Sequence, residues 1–427
     1  MDTVIIIAGV FALYCVGCYL LYRYRQSNTA AKERFEQWGP IVMIRFYCVG
    51  FLDAFIPLRR VLRAYGTLGI IFVVIIAALM VVSIGIAAYA SIVNPPAAEG
   101  IYEPQNMLLL PGINEFVPST VAVWAALVIC IVAHELGHGI LCRVENVKVK
   151  STGILMALIP IGFFIEPDET DLENSGSWAK ARVHGAGIMN NMVVGIGCFI
   201  LAVLLIGMAV PIAAPSVDGI YQNSAAEKAG LPVGSEIIAI NGQSIINHAD
   251  ISTYMSSTQP GDTAIITLKH DGVVKEYSVV LDAAPNSTRG YLGIYSITPE
   301  QRATIFESMK SPVGFLEFMI LPFDTSAVGR VIRVIGYDEG TEDYQSPFPL
   351  YWGMIHLLFW SGWISFNLGI FNAIPMVPLD GGNILKEGTD SILKPRGREK
   401  LSKDIVTGFS VIVFTCLIAV VAAPYIF

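Results

Sequence analysis

Val121-Ala122-Val123-Trp124-Ala125-Ala126-Leu127-Val128-Ile129-Cys130-Ile131-Val132-Ala133 carries no charge and leads straight into His134-Glu135-Leu136-Gly137-His138. Residues four apart on a helix lie on one face, one turn apart, so His134 and His138 can grip one metal ion together. Glu135 beside them is placed to act as a general base on metal-bound water. Uncharged runs of about 20 residues cross a bilayer core of about 30 Å as helices. The reading is a metal motif inside a membrane-spanning helix, toward its C-terminal end.

The rest of the composition agrees with a membrane setting. Of 427 residues, 54% are hydrophobic and 15% charged, and the mean hydropathy is +0.60. The net charge of −8 is modest and no basic patch points to nucleic acid. Cys15, Cys18, Cys130, Cys198 and Cys416 fall in apolar runs, Cys48 and Cys142 near their edges. That pattern excludes a disulfide framework and a cysteine-based zinc site.

The expected fold is mainly α and polytopic, with about six transmembrane helices near 4–22, 68–92, 119–141, 188–210, 351–372 and 405–424. The first is read as a retained span, since Val4–Leu21 lacks a preceding basic region and a small-residue cleavage site. Lys and Arg cluster between spans one and two, three and four, and five and six, whereas 94–118 has none. Positive loops face the cytoplasm, so both termini and the segment after Val210 are expected outside. The metal motif is then expected toward the cytoplasmic side. Residues 40–57, interrupted by Arg45 and Asp53, read as an interfacial or re-entrant piece. Residues 153–165 read as two short apolar strands around Pro160-Ile161-Gly162, a β-hairpin dipping into the membrane. Bare strand edges are costly in lipid, so protein or a bound strand must cover them.

The domain reading follows. Residues 1–118 form an N-terminal membrane region and 119–211 the first half of a catalytic core. Residues 212–285 are a soluble α+β insertion, 286–348 a linker back to the membrane, and 349–427 the second half of the core. The insertion shows alternating strands over 236–242, 264–269 and 275–281, turn pairs at Asn241-Gly242 and Asp271-Gly272, and helices near 224–229 and 249–256. Asn223-Ser224-Ala225-Ala226-Glu227-Lys228-Ala229-Gly230-Leu231 followed by Gly234-Ser235-Glu236-Ile237-Ile238-Ala239-Ile240-Asn241-Gly242 resembles a PDZ domain. The resemblance implies a peptide added to a sheet edge. A small β-domain that only spaces the helices or restricts access fits the residues equally.

Two histidines leave a catalytic zinc site one protein ligand short. His184 is expected in a cytoplasmic loop, His248 and His270 in the insertion, and His356 at the outer end of its span, as a helix-end histidine with a polar neighbour. A carboxylate is the better candidate. Asp380, in Pro375-Met376-Val377-Pro378-Leu379-Asp380-Gly381-Gly382, sits where prolines and glycines must break the helix. Broken backbone at membrane depth lines polar cavities, and a buried carboxylate there is a functional residue by default. A turn aspartate at the membrane surface is the plainer alternative.

Together, His134-Glu135-Leu136-Gly137-His138 and the later Asn372-x-x-Pro375-x-x-Pro378-Leu379-Asp380-Gly381-Gly382 resemble the site-2 proteases, intramembrane zinc metalloproteases that cut transmembrane substrates. A G-x-x-x-N motif of that family is matched by Gly187-Ile188-Met189-Asn190-Asn191, with Asn191 the matching residue and adjacent Asn190 a distractor. The resemblance implies one Zn²⁺ on His134, His138 and Asp380, with Glu135 as general base. It implies roles near the substrate for Asn191, Asn372 and Asn367. It also implies single-span membrane-protein substrates and a prokaryotic cytoplasmic membrane. Asparagines that only bond neighbouring helices are the plainer reading of all three. A prenyl-protein peptidase would take its third ligand elsewhere, and a non-catalytic membrane chaperone or transporter would not need Glu135.

Overall fold

The computed structural model of the chain describes residues 2–426 apart from 108, 158, 213, 271 and 285–287. It divides into two compact units. The first holds the chain up to Glu115, Ser119–Gly197 and everything from Ser361 on; the second holds Phe116–Pro118 and Cys198–Trp360. Among the described residues, five helical stretches are long and apolar enough to cross a membrane: Gly50–Val93, Val121–Val144, Ser177–Ile206, Tyr351–Asn372 and Glu399–Ile426. The chain is an integral membrane protein rich in helix. The main helices are α1 (Asp2–Ser27), α2 (Arg59–Val93), α3 (Val121–Val144), α4 (Ser177–Ile206), α5 (Tyr351–Asn372), α6 (Asp380–Leu393) and α7 (Glu399–Ile426).

Helix α4 starts at Ser177, eleven residues before the apolar run that marks its span in the sequence. Ala179, Lys180, Ala181 and Arg182 are good helix formers, so the helix extends beyond the apolar length. The cations also find partners. Arg182 Nε lies 2.8 Å from Glu145 Oε1, and Lys180 Nζ lies 3.8 Å from Glu387 Oε2.

Helices α3 and α4 touch at backbone distance. A Cβ on Gly137 would stand 2.5 Å from the Ala186 carbonyl oxygen, so only glycine permits this approach. Below that crossing lies a buried cluster of Leu52, Leu141, Cys142, Val144, Val147, Val149, Val183 and Ala186. Glu145, just past α3 and 3% exposed, receives Arg182 of α4 and, at 2.9 Å, Arg63 of α2. One carboxylate thus fastens three helices.

Beside α3 stands a four-stranded antiparallel sheet in the order β1 (Phe35–Trp38), β2 (Ile41–Phe46), β3 (Val149–Ala157), β4 (Ile159–Pro167). Within the stretch expected as an interfacial or re-entrant piece, residues 41–46 are a strand paired with β3 and Gly50–Leu58 is a 3₁₀ helix running into α2. Met43 faces Leu155 and Ile44 faces Ile154, so β2 covers the β3 edge that would otherwise lie bare. Strand β3 ends at Ala157 and β4 begins at Ile159, with 158 outside the described residues. Pro160 and Gly162 lie within β4, opposite Met156 and Leu155. Proline fits there because β4 is the outer strand and its ladder is offset at that point.

In the second unit, β5 (Glu236–Ile240), β6 (Thr263–His270) and β7 (Val273–Val280) form an antiparallel sheet ordered β7-β6-β5 with Gln243–Ser244 at its edge. Ile237, Ile240, Ala264, Ile266, Leu268 and Val279 pack its core with Ala225 and Ala226 of the short helix Ala225–Lys228. Asn241 and Gly242 both have positive φ, the turn that a tight hairpin demands. Asp271, of the other expected turn pair, lies outside the described residues. The segment expected as a linker is folded: helices Pro299–Ser308, Pro312–Ile320 and Ala327–Ile332 bury Phe306, Phe318, Val331 and Ile332. The sequence signal for them is their caps, Thr298 with Gln301, Ser311 and Ser326.

The Glu145 cluster yields a stability test. Burial pushes the Glu145 carboxyl up, but Arg182 and Arg63 outweigh it and hold it below the ordinary value. The ion pairs therefore contribute fully above the unfolded carboxylate range and are lost as pH falls through the lowered folded value. Glu145→Gln should lower stability at pH 7 by about 2 kcal/mol, less than a fully buried pair because Arg63 is 41% exposed. Unfolding in detergent should show the gap to wild type narrowing below pH 4.5.

Candidate metal centre

Helix α3 carries His134 and His138 one turn apart, and their Nε2 atoms lie 3.2 Å from each other. The helix is interrupted over residues 373–379, between α5 and α6, which brings Asp380 to them as the first residue of α6. Its Oδ2 lies 3.1 Å from His134 Nε2 and 3.3 Å from His138 Nε2. Ligand atoms bound tetrahedrally at zinc distances stand about 3.3 Å apart. The three donor atoms have that spacing, and two imidazoles with one carboxylate are a zinc-type donor set.

The outer bonds agree. His138 Nδ1 donates to the Val183 carbonyl at 2.8 Å, which turns Nε2 toward the donor triangle. His134 Nδ1 lies 3.1 Å from the amide of fully buried Asn191. As placed, the amide nitrogen faces His134 and the Asn191 Oδ1 is buried without a partner. With Nε2 given to a metal, His134 Nδ1 carries the proton. Turning the amide over then gives that oxygen its donor. Space is kept by Gly187, where a Cβ would stand 2.5 Å from His138 Nε2 and 2.8 Å from the His134 ring.

Glu135 lies beside the two histidines, its carboxylate within 4.8 Å of their ring nitrogens. Its Oε2 accepts the backbone N–H of Ile165 at 3.1 Å, so the outer strand β4 runs past Glu135.

Not every expected residue joins this group. Asn367 donates to the Trp363 carbonyl at 2.8 Å and Asn372 to the Leu368 carbonyl at 3.0 Å, so both amides serve their own helix. Asn190, beside the motif residue Asn191, has its own bonds: Tyr65 donates to its oxygen at 2.6 Å and its nitrogen donates to the Ala133 carbonyl at 2.8 Å. It ties α2 and α4 to the backbone beside His134. His356 is buried in the second unit against the Val334 carbonyl at 3.0 Å. His184 was missed. It lies on α4, not in a loop, and its Nδ1 is 3.2 Å from Asp380 Oδ1. The available signal was spacing: His184, Gly187 and Asn191 stand at i, i+3 and i+7, one helical face.

Peptidase family M50 matches residues 122–418, which contain every residue of this site. The chain belongs to peptidase family M50. Three relatives show the distance. The “Putative zinc metalloprotease” of Clostridium acetobutylicum is 25% identical over 60% of this chain and 81% of its own length. An uncharacterized protein of Methanocaldococcus jannaschii is 24% identical over 65% of this chain and 60% of its own. Zinc metalloprotease RasP of Geobacillus kaustophilus is 25% identical over 55% of this chain and 56% of its own. This M50 chain is accordingly a zinc metalloprotease of the site-2 type, a hydrolase whose cofactor is Zn²⁺.

The clearance at Gly187 can be tested directly. Gly187→Ala puts a methyl group against both imidazoles. It should cut the zinc retained by the purified chain on the order of tenfold or more, read by metal analysis after dialysis.

Proposed function

We propose that this M50 chain cleaves transmembrane segments of single-span membrane proteins. In this reading His134, His138 and Asp380 hold the zinc and Glu135 is the general base. The observation that carries it is the spacing of the three donor atoms beside a base that touches the edge of a β-strand. Zinc on these donors supplies a Lewis acid for the scissile carbonyl and acidifies water at the open position. Glu135 takes the proton of the attacking water and passes it to the leaving amine. Val183 and Asn191 orient the two imidazoles throughout. Asn372 and Asn367 become substrate contacts only if substrate draws their amides away from the α5 backbone.

A substrate helix has all its backbone bonds internal, so cutting it requires unwinding to an extended strand. Strand β4 offers such a strand an edge to join. The Ile165 N–H points away from β3 toward Glu135, and alternation along the strand puts the Phe163 N–H on the same outer edge. Added there, a peptide lies alongside Glu135.

The wider arrangement follows the same reading: six spans counting α1, both termini outside, and the catalytic end of α3 toward the cytoplasm of a prokaryotic cell. A PDZ-like domain would lie outside. In the second unit, His248, Ile251, Ser252 and Met255 at i, i+3, i+4 and i+7 face residues 290–296 across a cavity of about 260 Å³. A helix face set against an extended segment in this way supports the peptide-groove reading.

Two experiments test the reaction and the docking. Glu135→Gln should keep its zinc and lose on the order of 10²-fold or more in cleavage of single-span substrates; unchanged cleavage would sink the catalytic assignment. Phe163→Pro removes one outer-edge donor and leaves the β3 ladder in place. It should abolish cleavage with zinc content unchanged, and full cleavage would remove β4 as the docking edge.

A further inference from the structure

The two oxygens of Asp380 have different surroundings. Oδ2 points into the donor triangle, 3.1 and 3.3 Å from the two Nε2 atoms. Oδ1 turns away and meets His184 Nδ1 at 3.2 Å. The Asp380 side chain is 12% exposed, so bulk water cannot readily take the place of that donor. The His184 ring stands 6.4 Å from the His138 ring, at 68° to it. One face of α4 therefore serves the site three times: His184 holds the carboxylate, Gly187 clears the imidazoles, and Asn191 holds His134.

We propose that His184 is a positioning residue that keeps Asp380 on zinc through Oδ2 alone and so leaves the fourth coordination position open. The proposal rests on Asp380 being the third ligand. A catalytic zinc needs one position for water or substrate. A carboxylate can bind through one oxygen or two. Without a donor, Oδ1 is an anionic oxygen in a closed site, and the strongest positive centre within its reach is the metal. Turning onto it makes the carboxylate bidentate and fills the position the reaction needs. The His184 Nδ1–H holds Oδ1 off. Outer partners of this kind fix ligand orientation and metal affinity elsewhere.

The test uses the full-length chain in detergent, as wild type, His184→Leu, His184→Asn and Asp380→Ala. Asparagine carries an amide nitrogen close to the place of Nδ1; leucine does not donate. Three quantities are read: the rate of zinc release to a chelator, the visible absorption after cobalt substitution, and the unfolding temperature of the metal-free protein. His184→Leu should release zinc on the order of tenfold faster and show a changed cobalt absorption, as the second carboxylate oxygen takes the position otherwise left to water. His184→Asn should stay close to wild type, and metal-free stability should not move. Should His184→Leu fail to fold, His184→Phe takes its place. Zinc release and a cobalt spectrum like wild type in His184→Leu, or an asparagine variant as poor as the leucine one, would overturn the proposal. So would a fall in metal-free stability large enough to account for the zinc lost. Asp380→Ala separates the two levels: if it keeps its zinc, the ligand assignment itself is wrong; if it loses zinc when His184→Leu does not, only the role of His184 is wrong.

Discussion

Three polar donors, two imidazole nitrogens and one carboxylate oxygen, are held within 3.3 Å of one another among apolar helices. Unpaired charge in such surroundings is expensive, so each donor has to be satisfied and aimed by something behind it. The rest of the first unit can be read as the means of doing so. Val183, His184 and Asn191, all on α4, stand behind His138, Asp380 and His134. They can reach only because α3 and α4 meet at Gly137 and Ala186, and because Gly187 leaves room for the rings. Close helix packing and metal geometry are here one constraint.

The same constraint explains the ionic fastenings at the end of these helices. Glu145 takes Arg63 from α2 and Arg182 from α4 at the foot of α3, and Arg143 of α3 reaches Asp53 at 2.5 Å. Asn190, Tyr65 and the Ala133 carbonyl add a second tie between the same helices. A slide of α4 along α3 by a fraction of a turn would pull the outer partners off the ligands. Several modest interactions oppose it together.

The sheet answers a different need. Extended backbone in an apolar setting must have its hydrogen bonds taken up. Strand β2 takes up one edge of the β3–β4 pair, and Arg45 of β2 reaches across to Glu166 of β4 at 3.2 Å. The outer edge of β4 is left facing Glu135, whose carboxylate accepts one of its N–H groups. An edge presented to Glu135 is what the proposed docking of an unwound substrate strand requires.

How much of this was legible in the sequence differs by residue. The charge-free run from Val121, the histidines one turn apart and the Pro–Asp–Gly–Gly break carried the membrane setting, the metal motif and the third carboxylate, because each depends on spacing within one segment. Strand β2 was not legible: that Ile41–Phe46 pairs with β3 depends on a partner more than a hundred residues away. The helices of 299–332 were legible only through their caps. His184 was misplaced because hydropathy marks where a helix enters an apolar layer, not where it begins. The sequence by itself determined the side-chain types of the candidate metal centre and the helix that presents two of them. Tertiary structure alone decided which side chains stand behind the ligands, since those bonds join α4 to α3 and α6, and no local pattern states how two helices are turned toward each other.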